Sequence, residues 1–310
     1  MVYSAGPRGL AEAVTEAFAE EHGVRVEFFA ATTGQVMARL EAERHRPRAD
    51  VVVFASRVAA DALKEAGRLR SYPNPHGVDR TRRSWHDPDG YFHATSAAWV
   101  GMAIREAAWD PEAHAELEWS DVFLGRFPGR VTLPGPSRSG AAGDFIVART
   151  LDLGEPAWDE YREARRAGLD ISAANSQAIG GLLVGAYDVI VGAVDYLILA
   201  RIEDGAPIRF HAPPSGAALV ERPVAILDHT PVPELAEAFV DFYLSPEMQA
   251  RVAAVHLIPV HLDVPPSEIR ARHIPVEPRA IPVDPAEALA EQTRILRRFQ
   301  LQVERAEVIR

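Results

Sequence analysis

Three segments of the chain set Ser, Thr, Gly or Asn at the start of a helical pattern: Ala31-Thr-Thr-Gly-Gln, Gly135-Pro-Ser-Arg-Ser-Gly-Ala-Ala-Gly and Ala174-Asn-Ser-Gln. The first-turn amides of a helix have no partner inside it, and the aligned peptide dipoles place partial positive charge there. Small residues let an oxyanion approach those amides, while hydroxyl and carboxamide groups add donors. Such termini hold a phosphate or carboxylate without a basic protein around them. Thr33, Ser139 and Asn175 are also ordinary helix-capping residue types, so none of them alone signals a ligand. The loop 135–143, with three glycines and two serines, departs furthest from plain capping. Arg138 is the one cation inside it, free by sequence either to reach a ligand or to face solvent.

Other chemistries find little support. With no cysteine there is no disulfide, thiolate metal site or thiol nucleophile, and Lys64 is the only lysine. A formal charge of -11 argues against nucleic acid, since phosphate backbones are gripped by basic surfaces. The 11 histidines form no His-x-x-x-His pattern and are expected to be scattered over the surface or the rim of a cleft. Ser137 and Ser139 lack the Gly-x-Ser-x-Gly context of a hydrolase nucleophile. No catalytic residues are expected, and no cofactor.

These residues need a frame, and 310 residues with 47% apolar content allow one large domain or two ordinary ones. Helical spacing runs over Leu10–Glu21, from Thr33 to about Arg44 and over Ala59–Ala66, between strand-like runs at Val24–Phe29 and Asp50–Phe54. A turn-rich stretch from Ser71 to Gly90 precedes a strand over Phe92–Ile104. Trp119–Phe123, Val131–Pro134, a helix from about Ser139, Leu169–Ile171, a helix from about Asn175 and Val189–Ala193 repeat the alternation. Two further helices are expected over Pro231–Leu244 and Pro246–Val255, then an extended proline-rich tail over Pro265–Pro285 and a last helix over Pro285–Glu307. Alternation of this kind gives an α/β fold with helices covering mixed sheets. No run reaches the roughly 18 apolar residues of a membrane helix. Met1-Val-Tyr-Ser begins directly on strand-like sequence, which fits a cytoplasmic protein or one whose export signal has been removed.

The motifs recur in a recognisable order: Ala31-Thr-Thr-Gly-Gln-Val-Met-Ala-Arg-Leu-Glu-Ala-Glu, Arg48-Ala-Asp-Val-Val, Leu133-Pro-Gly-Pro-Ser-Arg-Ser-Gly-Ala-Ala and Gly185-Ala-Tyr-Asp-Val-Ile-Val-Gly-Ala. Asp204-Gly-Ala-Pro-Ile, Phe239-Val-Asp-Phe-Tyr-Leu-Ser-Pro-Glu-Met-Gln and Leu257-Ile-Pro-Val follow. In order and spacing, over nearly its whole length, the chain resembles the substrate-binding proteins of bacterial ABC importers, in the branch of the ferric-iron-binding proteins (extracellular solute-binding protein family 1). The resemblance implies a two-lobed type II periplasmic-binding-protein fold with the ligand in a cleft that closes between the lobes. One lobe is expected over 1–98 and 224–275, the other over 99–223 and 276–310, with crossover strands near Thr95–Gly101 and Leu219–Ile226. It further implies a monomeric receptor, periplasmic or membrane-tethered outside the cell, that meets an inner-membrane ABC permease.

Carried over residue by residue, the family's anion site falls on Ser139, Gly140, Ala141 and Asn175, with Ser56 near a further polar donor; Thr33 and Gly34 at their helix start, Arg138 in the loop and Ser4 are expected as further contacts. In iron-binding members a pair of adjacent tyrosines, a histidine and a glutamate hold Fe3+ together with an exogenous anion. Here the tyrosine pair reads Asp195-Tyr196, the histidine position falls near Pro7 and the glutamate position at Ala55. The expected ligand is therefore a small anionic or zwitterionic solute, its oxyanion at 139–141 and an ammonium at Asp195. The alternatives are Fe3+ held by Tyr196, Asp195 and a bound anion, or an enzyme built on the same two-lobed fold. The effector domain of a transcription regulator would need a helix-turn-helix before the first strand, and none is legible there.

Overall fold

Short β-branched and apolar runs become the buried strands of this chain, and amphipathic segments between them become the covering helices. The computed structural model describes residues 1–305, which fall into two units: 1–98 with 221–267, and 99–220 with 268 onward. In unit 1 the chain runs through β1 (Val2–Ser4), α1 (Arg8–His22), β2 (Phe28–Ala30), α2 (Thr33–Ala42), β3 (Val51–Val53), α3 (Arg57–Glu65) and β4 (Leu69–Arg70). Strand β1 lies between β2 and β3, parallel to both. The core of this unit gathers Tyr3, Val36, Leu40, Val52, Phe54, Leu63 and Phe92 from the strands and the inner helix faces. Each such side chain contributes about 1.5–3 kcal/mol of burial.

The long strand β5 (His93–Arg105) carries the chain out of unit 1, between Ala98 and Trp99. Unit 2 continues with α4 (Trp119–Phe123), β6 (Val131–Pro134), α5 (Gly140–Leu153), α6 (Glu155–Arg166), β7 (Asp170–Ser172), α7 (Asn175–Leu183), β8 (Val189–Val194), α8 (Asp195–Glu203) and β9 (Ile208–His211). Strand β6 lies parallel between β7 and β8, and β8 and β9 each pair antiparallel with the outer part of β5. Strand β10 (Ala218–Leu227) then crosses back between Val220 and Glu221 and pairs antiparallel with β3. Helices α9 (Pro233–Leu244) and α10 (Pro246–Ala254) and strand β11 (Ile258–Pro259) complete unit 1. Helices α11 (Glu268–His273) and α12 (Pro285–Phe299), extended by a π-helical turn over Gln300–Glu304, belong to unit 2. Both units are thus mixed sheets flanked by helices. Among the described residues no helix is long and apolar enough to cross a membrane.

Several expectations need correction. The extended tail is interrupted by α11, and 268–275 lies in unit 2 because Arg270 is bound there to Asp195 at 2.8 Å. Residues 221–223 lie in unit 1, where Glu221 pairs with Arg57 at 3.1 Å. The last helix stays α-helical only to Phe299, and positions 306 and 307 of its expected span lie outside the described residues. Trp119–Phe123 is a helix rather than a member of the strand series, started by reciprocal capping between Glu118 and Asp121.

At Gly101 the β5–β8 register shifts, and a Cβ there would meet the Phe210 ring at 2.5 Å and His211 O at 2.6 Å. Backbone on one side leaves no room to give way. Gly101→Ala is therefore expected to destabilise unit 2 by about 2–3 kcal/mol, as overpacking of a filled core does, measurable by urea unfolding.

Candidate ligand-binding site

Because β6, β7 and β8 are parallel, their carboxyl ends lie on one edge of unit 2, the edge at which open α/β sheets bind ligands. That edge carries Ser139 after β6, Asn175 after β7 and Asp195-Tyr196 after β8. Ser139 caps α5: its Oγ accepts from Ala142 N–H at 3.2 Å, and its carbonyl accepts from Gly143 N–H. The amides of Gly140 and Ala141, first and second in the helix, have no intrahelical acceptor. Asn175 Nδ2 donates to Ser139 Oγ at 3.1 Å, which joins two of the three expected loops directly. Its carboxamide oxygen, Oδ1, is buried without a hydrogen-bond partner.

Ser139 Oγ thus receives two donors and keeps its own proton for a third group. A half-turn of the Asn175 amide gives the complementary state, with Oδ1 accepting from Ser139 and the NH2 group turned to the position now left unsatisfied. Either state presents a donor beside the Gly140 and Ala141 amides. Arg138 is exposed.

Asn175 is not the cap of its helix, contrary to expectation: Ala174 holds that position and makes no side-chain cap bond. Thr33 is not a cap either, since Thr32 caps α2 in a reciprocal box with Gln35. Freed from capping, Thr33 Oγ1 is likewise buried without a partner. The parallel edge of unit 1 therefore repeats the arrangement, with Thr33 and half-buried Gly34 as the first two residues of α2, their amides without intrahelical acceptors. Ser4 Oγ accepts from Gly6 N–H at 3.0 Å, and Ser56 caps α3 by accepting from Ala59 N–H at 3.2 Å.

Asp195 overturns the expectation placed on it. It is fully enclosed, with 0% exposure. Its Oδ2 accepts from Trp99 N–H at 3.0 Å and from the Arg270 guanidinium at 2.8 Å, and its Oδ1 accepts from Tyr196 N–H at 2.6 Å. Burial pushes its carboxyl up from the ordinary value, against the pull of Arg270 and the two amides. With both oxygens committed, Asp195 neither receives a ligand ammonium nor ligates a metal ion; it fixes the start of α8. Of the expected tyrosine pair this edge keeps one phenol, that of Tyr196, 9% exposed. Among the described residues no group of three or more His, Asp or Glu side chains is placed to hold a metal ion.

Sequence reasoning missed Arg222 and Glu221, the only charges inside the apolar run of β10 and legible as such. Arg222 is 2% exposed and donates to Ala5 O at 3.2 Å, beside the Ser4 turn. Glu221 accepts from Arg57 at 3.1 Å, and Arg57 also faces Asp61 at 3.7 Å. Burial raises both carboxyls, that of Asp61 to about 6. The expectation of surface histidines also fails for His86, His93, His114, His256 and His261, which are buried. Within unit 1, His86 receives Ala94 N–H on Nδ1 at 3.1 Å and meets Thr81 Oγ1 through Nε2 at 2.6 Å.

The chain is 26% identical over 266 residues to an uncharacterized protein of Haemophilus influenzae, a match covering 80% of this chain and 73% of the relative. Its fold is similar to that of the periplasmic binding protein AfuA of Actinobacillus pleuropneumoniae, solved with exogenous fructose-6-phosphate bound (TM-score 0.84, 19% identity, 98% of each chain covered). It is similar as well to the ferric binding protein of Campylobacter jejuni (TM-score 0.83, 15% identity, 97% of this chain and 98% of that one covered). At these identities the two structures speak for the fold. Residues 1–255 match the family described as bacterial extracellular solute-binding protein, and by that match the chain belongs to this family.

Proposed function

We propose that this solute-binding protein captures a small oxyanion-bearing compound for an ABC importer, with a phosphate, phosphonate or carboxylate group seated at 139–141. The observation that carries the reading is the pairing of Ser139 with Asn175 beside two unengaged helix amides, with one Asn175 oxygen buried and unsatisfied. An oxyanion has no proton for that acceptor, so the gain comes in the half-turned state, where the Asn175 NH2 group stands at that position and donates to the ligand; a buried polar group left without a partner is unfavourable by about 1–3 kcal/mol. Taken by itself, unit 1 offers Ser4, Thr33, Gly34, Ser56 and Arg222 as proposed ligand contacts. The fructose-6-phosphate bound to AfuA supports a phosphorylated ligand.

Bare Fe3+ is disfavoured, because Asp195 is spent on Arg270 and one phenol is a poor set for a hard trivalent ion. Catalysis is disfavoured as well, because the side chain that meets Ser139 Oγ is the Asn175 carboxamide, which is not a base. We place the working protein outside the cytoplasmic membrane, in the periplasm or tethered there, as a monomer delivering its solute to an inner-membrane permease.

Titration calorimetry of the purified protein with fructose 6-phosphate, inorganic phosphate, aminoalkylphosphonates, dicarboxylates and ferric citrate tests the reading. At least one oxyanion should bind stoichiometrically, and Ser139→Ala or Asn175→Ala should weaken it by about 10- to 100-fold, the loss of one hydrogen bond to a charged group. Stoichiometric iron with a phenolate charge-transfer band, or tight binding unaffected by both substitutions, would overturn it.

A further inference from the structure

The loop that leads into α5 is held at every amide it has. Gly135 N–H donates to Ser172 O at 2.8 Å, and the Arg138 and Ser139 amides both donate to Gly135 O at 3.0 Å. Pro136 has no N–H. The remaining amide, Ser137 N–H, donates to Glu304 Oε1 at 3.0 Å. Its acceptor comes from the far end of the chain, the last residue of the π-helical turn that follows α12.

We infer that Glu304 is a positioning residue for the ligand: it fixes Ser137 and thereby the direction in which Ser139, Gly140 and Ala141 present their donors. This rests on the reading of 139–141 as the oxyanion site. Helix α12 is seated firmly enough for the task. Leu296 lies against Gly143 of α5, where an added Cβ would meet its methyls at 3.7 and 3.8 Å. Phe299 is 1% and Val303 0% exposed. A π-helical turn changes the angular spacing of successive residues relative to an α-helix, so the widened turn re-aims Glu304 while Phe299 and Val303 stay in the core. Gly135 is needed at the meeting point, because a Cβ there would come 3.3 Å from Ser172 O and 3.4 Å from Glu304 Oε1.

A carboxylate close to an oxyanion site works against the ligand by charge, so its retention there calls for a geometric gain. An ionised acceptor on a backbone amide supplies one, being stronger than a neutral pair. It also occupies Ser137 N–H, leaving the site the two first-turn amides, the Ser139 hydroxyl and the Asn175 carboxamide. That set fits one oxyanion group better than a chelating pair of them.

Glu304→Ala and Glu304→Gln separate the roles, with hydrogen exchange of the ligand-free protein read by NMR and calorimetry using inorganic phosphate and fructose 6-phosphate as probes. In the alanine variant, exchange at the Ser137 amide should accelerate about tenfold or more, as one hydrogen bond is lost, and the bound probe should weaken at least fivefold. The glutamine variant keeps an acceptor and should restore both to within about threefold. Unchanged exchange at Ser137 in the alanine variant, affinity equal to or tighter than the parent's, or no rescue by glutamine overturns the inference. A parent protein that binds neither these probes nor any other oxyanion of the titration panel defeats the oxyanion reading instead, and the exchange arm still decides whether Glu304 holds the loop.

Discussion

Arg270→Met is expected to destabilise unit 2 by about 3–5 kcal/mol, the usual result of stripping one partner from a buried ion pair. Arg270 and Asp195 have side chains 6% and 0% exposed and meet at 2.8 Å. Methionine matches much of the arginine stem, so the loss reports the charge left behind and not a cavity. Asp195 would then face protonation or water entry, either of which loosens its bonds to the Trp99 and Tyr196 amides. Combining Arg270→Met with Asp195→Asn should recover about half of the loss, because a carboxamide oxygen still accepts from one amide and no charge remains. Urea unfolding of both variants measures this; a loss under about 1 kcal/mol for the single variant means that Asp195 was never isolated from solvent.

The second large effect is one of pH, and two groups of unit 1 oppose each other in it. Burial holds the His86 imidazole down at about 3 against 6.5 ordinarily. Its contribution is complete above pH 6.5 and is lost as the pH falls toward 3, since the unfolded chain takes up a proton that the folded one refuses. At about 1.4 kcal/mol per pH unit the loss approaches ~4 kcal/mol. Asp61 runs the other way: burial raises its carboxyl from 3.8 to about 6. It penalises the fold above pH 6, and the penalty of up to ~3 kcal/mol fades as the pH falls to 3.8. Between pH 6 and 4 the two nearly cancel. Denaturant unfolding across pH 4–7 should therefore show His86→Gln gaining stability relative to the parent on acidification and Asp61→Asn losing it, each by roughly 1 kcal/mol per unit. Curves parallel to the parent's would refute the assignment.

How far these features could be read from the sequence depends on the range over which each is specified. The crossover strands are placed by the family resemblance, near Thr95–Gly101 and Leu219–Ile226, and those residues lie in β5 and β10; of the two, Phe92–Ile104 also reads as a strand in its own right. Ser139 was legible as a cap, since capping is decided within four residues. Thr33 and Asn175 were read one position off, and the shift matters, because a residue past the cap has no backbone duty and its oxygen is left for something else. Helix α8 was hidden in the apolar run from Val184 to Ala200, where strand and helix differ only in where Asp195 stops the strand. Its partner Arg270 stood in a proline-rich tail that reads as extended, and a contact so distant in the chain leaves no periodic trace. Glu304 escaped for the same reason.

The lock between Asp195 and Arg270 also orders the birth of the molecule. Every residue of unit 1 has been synthesised once the chain reaches Ser267, whereas unit 2 still lacks Arg270, α12 and Glu304. Until they emerge, Asp195 would be a buried charge without its counterion and the loop at 135–139 would lack one of its ties. The nascent chain thus has reason to leave unit 2 unsettled until Glu304 has emerged, well after every residue of unit 1 is available.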